Sequence, residues 1–122
     1  IDAAYQALAE QTPAERRKFI VFHDAYTYFS ARYGYEVVGV VLPNPEAETS
    51  AQGAAELVET IRAEEIEIIF AEPQFSSDVL EAIAAEAGVE VGLLLTDTFT
   101  DEVQTYPDLL RFNLESLQTL LP

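Results

Sequence analysis

The sequence predicts an α/β fold: a single three-layer lobe with a four-stranded parallel sheet of expected order 2-1-3-4, flanked by helices and preceded by the tail of a longer helix. Three observations carry this reading. The apolar runs at residues 18–22, 36–42, 66–71 and 89–95 are continuous rather than alternating, as in strands covered on both faces. Each is followed by a stretch whose apolar residues repeat at helical spacing. Between them stand helix and strand breakers, namely Gly34, Pro43-Asn44-Pro45 and Gly88.

Taken in order, Ile1, Ala4, Tyr5 and Leu8 share one helical face, and the pattern begins abruptly at the first residue. Residues 1–11 therefore read as the end of a longer helix. Thr12-Pro13-Ala14-Glu15 offers a capping box with proline at the first helical position. After the first strand, Asp24 is the expected N-cap of a helix reaching Tyr33, with Ala25, Phe29 and Tyr33 inward and Gly34 as its stop. Residues 36–42 form the second strand. Thr49 and Gln52 make the next capping box, ahead of a buried stripe of Ala54, Leu57, Val58 and Ile61.

The third strand closes on Glu72-Pro73-Gln74. Ser76 or Ser77 caps a helix with Val79, Leu80, Ile83, Ala84 and Ala87 inward, ended by Gly88. The fourth strand delivers Thr96, Asp97 and Thr98 to its carboxyl end. A last helix starts at Glu102 or Tyr106 and runs to Leu121, with Leu110, Leu114, Leu117 and Leu121 inward.

Composition narrows the function. The 122 residues include 22 acidic and six basic side chains, a net charge of −16. Such a balance argues against nucleic acid or an anionic membrane as partner. The absence of cysteine excludes thiolate metal sites, disulfides and cysteine catalysis. No phosphate-cradling glycine loop occurs, and the single lysine, Lys18, stands at the head of the first strand, where a phospho-acceptor domain, which needs a lysine late in the sheet, has no use for it. No apolar run approaches a membrane span, and any export signal is expected to lie outside these residues.

In an open parallel sheet, ligands bind beyond the carboxyl ends of the strands, at the switch point between the first and third strands. His23, the only histidine, is expected beside that crevice with Glu72. Asp24 follows it, and Asp97 comes in from the far side of the third strand, so that four polar groups converge on one edge. Imidazole and carboxylate together suit a divalent metal, zinc above all. Each has a second reading. His23 can be a hydrogen-bonded structural residue, Asp24 the helix cap, and Asp97 a turn residue through Thr98 to Thr100. Glu72 can orient the His23 ring or bond nearby backbone. A flavodoxin-like enzyme or nucleotide-binding domain using the same crevice is the alternative, with Asp24 placed to repel its anion.

The run His23-Asp24-Ala25-Tyr26-Thr27-Tyr28-Phe29, followed by Arg32-Tyr33-Gly34, resembles the C-terminal lobe of the zinc/manganese solute-binding proteins of ABC transporters, the cluster A-I metal receptors. Asn44-Pro45-Glu46, Phe70-Ala71-Glu72-Pro73-Gln74-Phe75, Thr96-Asp97, Tyr106 and Asn113-Leu114 extend the likeness over nearly the whole chain.

The resemblance implies a non-enzymatic receptor lobe with two metal ligands, His23 and Asp97, and Glu72 beside them. The cargo is Zn2+, with Mn2+ as the alternative, and its remaining ligands come from an N-terminal lobe absent from these residues. It further implies that residues 1–11 end an inter-lobe helix and residues 12–122 form the lobe. The implied partner is a membrane ABC permease, and the implied location is periplasmic or extracytoplasmic, membrane-associated in some relatives. An exposed apolar stripe on the first helix, and the face toward the missing lobe, are expected to favour a dimer of the isolated lobe.

Overall fold

The computed structural model of the chain describes residues 1–42, 50–96 and 98–121. Four strands, β1 (Lys18–His23), β2 (Glu36–Leu42), β3 (Ile68–Ala71) and β4 (Glu90–Leu93), form one parallel sheet in the order β2-β1-β3-β4. Five helices accompany it: α1 (Asp2–Gln11), α2 (Thr27–Tyr33), α3 (Ala51–Ala63), α4 (Asp78–Ala87) and α5 (Tyr106–Leu120). The expected fold class and strand order are those observed.

The continuous apolar runs are explained by the pleat. In β1, Phe19 and Val21 enter one core with Ile68 and Phe70 of β3, while Ile20 and Phe22 enter the other with Ile69 and Ala71. The first core is closed by Tyr5 and Leu8 of α1, Phe29 of α2 and Leu117 of α5; the second by Leu57, Val58 and Ile61 of α3 and Leu80 and Ile83 of α4. Each fully buried valine, leucine, isoleucine or phenylalanine among them contributes about 1.5–3 kcal/mol. Gly92 admits α5 to the sheet: a Cβ there would lie 2.6 Å from Leu120 Cδ1 and 2.8 Å from Phe70 Cε1. Helices α2 and α4 stop at Gly34 and Gly88, both left-handed at φ 73° and 74°.

Several local expectations need correction. Helix α2 begins at Thr27, three residues after Asp24, and its N-cap is Tyr26. Tyr26 is buried with its ring edge-on to Phe19, so the chain turns inward there and Ala25 is left exposed. Thr12 ends α1 and a single 3₁₀ turn over Ala14–Arg16 follows, as the sequence suggests, but Thr12 forms no capping box: its hydroxyl donates back to the Leu8 carbonyl at 2.8 Å. The cap of α3 is Ser50, whose Oγ accepts from the Gly53 N–H at 2.9 Å, and Gln52 bonds Glu56 instead. Thr49 lies outside the described residues, as do Pro43-Asn44-Pro45 and Glu46. Val79 is exposed, because the inward stripe of α4 runs through Leu80, Ile83 and Ala84. Helix α5 starts at Tyr106, one of the two expected starts, with Thr105 as its cap. Leu110, Leu114, Leu117 and Leu121 pack into the first core as expected, and Leu109 and Asn113 are buried besides.

The apolar stripe of α1 is not exposed. Tyr5 and Leu8 pack inward; the Tyr5 hydroxyl donates to the Leu110 carbonyl at 2.5 Å, and its ring meets Phe29 and Tyr33. Burial pushes the Tyr5 phenol well above its ordinary pKa. At its start α1 is tied to α2: Arg32 donates from Nε and Nη2 to the two Asp2 oxygens at 2.7 Å each, and the Tyr33 hydroxyl donates at 2.6 Å. These bonds, the Arg32 guanidinium first, hold the Asp2 carboxyl well below the usual carboxylate range. For self-association α1 thus offers Ile1 rather than a stripe.

Candidate metal centre

The parallel register builds the centre. Val21 lies opposite Phe70, so His23, the last residue of β1, and Glu72, the first residue past β3, leave neighbouring strands at the same carboxyl edge. The two side chains meet: His23 Nδ1 hydrogen-bonds Glu72 Oε2. Glu72 is 2% exposed, and its other oxygen, Oε1, accepts from the Thr96 hydroxyl and from Gln74 Nε2, the latter at 3.1 Å. Gln74 Nε2 also donates to Thr96 Oγ1 at 3.3 Å. Water does not reach this carboxylate, so its lone pairs are matched by protein donors or lost to stability. Here three donors supply them.

The arrangement sets the chemistry of the imidazole. A neutral ring that donates from Nδ1 to a carboxylate carries its lone pair on Nε2, on the far side of the ring from Glu72. Phe75 steadies that ring: it stacks on Phe22 at 4.8 Å between centroids and meets His23 edge-on at 5.3 Å. The His23 side chain is 16% exposed, buried enough to be oriented and open enough to reach a ligand. A histidine held this way is a preformed nitrogen donor.

Of the four polar groups expected to converge, the structure brings together His23 and Glu72. Asp24 is exposed and accepts from the Thr27 hydroxyl at 3.4 Å, acting neither as helix cap nor as a partner of His23 in the bonds observed. Asp97 lies outside the described residues. Among the described residues, no group of three or more histidine, aspartate and glutamate side chains is placed to hold a metal ion.

Three residues were not singled out as site residues from the sequence: Gln74 and Thr96, which bond Glu72, and Asn113, which bonds the backbone of Leu95, the residue before Thr96. Gln74 and Thr96 each lie three residues beyond a strand end, at the edge where polar side chains gather in this topology. Asn113 carried the clearer signal, a polar side chain four residues from Leu109 and four from Leu117 on an otherwise apolar helix face.

Comparison with known families decides the relationship: residues 1–120 match the family of the periplasmic component A of zinc-uptake complexes, ZnuA. The chain belongs to the ZnuA family. It is 31% identical over 119 residues to the high-affinity zinc uptake system protein ZnuA of Brucella abortus, an alignment covering 96% of this chain and 36% of that protein. Its fold is similar to the periplasmic zinc binding protein TroA from Treponema pallidum, with TM-score 0.85, 29% identity, and coverage of 98% of this chain and 46% of that one. A mutant, Mn-bound periplasmic metal binding protein from Candidatus Liberibacter asiaticus superposes with TM-score 0.83 and 25% identity, covering 95% of this chain and 45% of that one. The chain thus spans about a third of the length of the curated ZnuA relative and less than half of these solved chains.

Proposed function

We propose that this chain is the C-terminal, metal-receiving lobe of an extracytoplasmic solute-binding protein that captures zinc, with manganese as the alternative cargo, for an ABC permease. One observation carries the reading: the only histidine of the chain stands at the carboxyl edge of the sheet with Nδ1 on a buried carboxylate, which leaves Nε2 for a cation.

In this reading His23 supplies an imidazole nitrogen and Asp97, at the position matching the family's second ligand in this lobe, a carboxylate oxygen. Glu72 remains off the ion and fixes the ring. Thr96 and Gln74 fix Glu72 in turn. Two ligands leave a zinc ion largely hydrated, so the sphere is completed by the preceding lobe, with residues 1–11 ending the helix that joins the two and residues 12–122 forming this lobe. Binding and release of an unmodified ion ask for no nucleophile or proton shuttle, and the protein acts as a receptor rather than an enzyme.

A thermal-shift comparison tests this. Zn2+ is expected to raise the melting temperature, Mn2+ to raise it less, and a nucleotide to leave it unchanged, since Asp24 repels phosphate at that edge. Stabilisation by nucleotide with none by either metal would overturn the proposal.

A further inference from the structure

Past Leu93 the paired part of β4 ends. Leu94 still donates its N–H to the Ala71 carbonyl at 3.0 Å, but Leu95 lies beyond the strand and is 1% exposed, so water cannot serve its backbone. Asn113 of α5 takes the place of a neighbouring strand. The Leu95 N–H donates to Asn113 Oδ1 at 2.7 Å, and Asn113 Nδ2 donates to the Leu95 carbonyl at 2.7 Å. A side-chain amide holds the same donor and acceptor in one plane as a peptide, so one asparagine can satisfy both groups.

Packing alone does not call for this residue. Asn113 is 7% exposed on a helix face it shares with the buried Leu109 and Leu117, a face that is otherwise apolar. What the amide adds is a fixed backbone at residue 95, and the next residue is Thr96. Its hydroxyl bonds Glu72 Oε1, while Glu72 Oε2 bonds His23. A continuous set of bonds therefore runs from the middle of α5 to the imidazole.

We propose that Asn113 is a positioning residue for the metal centre: by holding residue 95 it keeps the Thr96 hydroxyl on Glu72, and so keeps Glu72 on Nδ1 of His23. The role rests on His23 being a ligand, because the lone pair it preserves on Nε2 matters only then.

His23 is the only histidine, so long-range 15N–1H NMR of the whole metal-free chain, at a pH where imidazole is neutral, reads its tautomer without ambiguity. The unsubstituted chain is expected to show the Nδ1–H form. In Asn113→Ala that signature gives way to a mixture of tautomers, and zinc affinity falls roughly tenfold, as when other groups that orient a ligand are lost. Asn113→Ser, with a smaller polar side chain, shows the same change to a lesser degree and serves if the alanine variant does not fold. Ile83→Ala, on the opposite face of the sheet, loses stability through packing and leaves the tautomer unchanged.

An unaltered Nδ1–H spectrum in folded Asn113→Ala or Asn113→Ser would overturn the proposal and leave Asn113 a purely structural residue. The spectrum involves no metal, so the two readings fail separately: a tautomer that responds to Asn113 in a chain whose zinc uptake ignores His23 would refute the ligand assignment alone.

Discussion

At the amino end of the sheet Lys18 meets Glu64 at 2.8 Å and Arg16 meets Glu67, all four side chains partly exposed; at the carboxyl end His23 meets Glu72, whose side chain is almost wholly enclosed. Both ends pair an acidic group with a nitrogen donor. Water screens the first pairs and can replace either partner when the other is lost, so they contribute little. The second pair has no such reserve. Every lone pair of Glu72 depends on a protein donor, and the reward for that burial is orientation of one imidazole. A fold tolerates an enclosed carboxylate where geometry must be held, and the enclosed one stands at the end proposed to receive the metal.

The sharpest way to break the contrast is Glu72→Leu, which strips partners from His23, Thr96 and Gln74 together. A stability loss of about 3 kcal/mol in urea unfolding is expected, since removing one member of a buried hydrogen-bonded group leaves the others unpaired. Thr96→Val keeps the shape and removes one donor to the carboxylate; it should cost about 1–2 kcal/mol by the same measurement. Arg16→Gln, at the other end, should change stability by less than about 1 kcal/mol, and by still less at high salt. A loss there as large as that of Glu72→Leu would erase the distinction between the two ends.

The smallest effect concerns Asp2, exposed and tied to Arg32 and Tyr33. Its carboxyl is depressed in the folded chain, so the unfolded chain binds the proton first. The tie therefore contributes at neutral pH, with its full value above the ordinary carboxylate pKa of about 4, and that contribution is lost as pH falls from there toward the depressed folded value. Asp2→Asn should remove this acid-side slope, and thermal melts of the two proteins from neutral pH downward should converge.

Much of the fold was legible because the signals are long or repeated. Four apolar runs separated by helical spacing define the sheet, and β2 occupies the residues expected of it. Ends were less legible. Asp24 has the right chemistry for a cap, but the burial of Tyr26 moved the start of α2 beyond it. Thr12 competed with its own preceding turn and bonded backward to Leu8. At the site, His23 and Glu72 were visible because strand ends in this topology face one crevice. Asn113 stood out as a polar residue on an apolar helix face, but its partner did not: it acts through the backbone of Leu95, 18 residues away, a contact no local pattern announces.

The measurement that bears most directly on the proposed divided metal centre is calorimetric titration of zinc into the 122-residue chain and into its His23→Ala variant. Weak binding to the unsubstituted chain, abolished in His23→Ala, is the expected result, because the two proposed ligands, His23 and Asp97, would leave most of the coordination sphere to water. Tight one-to-one binding by the monomer, unchanged in His23→Ala, would contradict it.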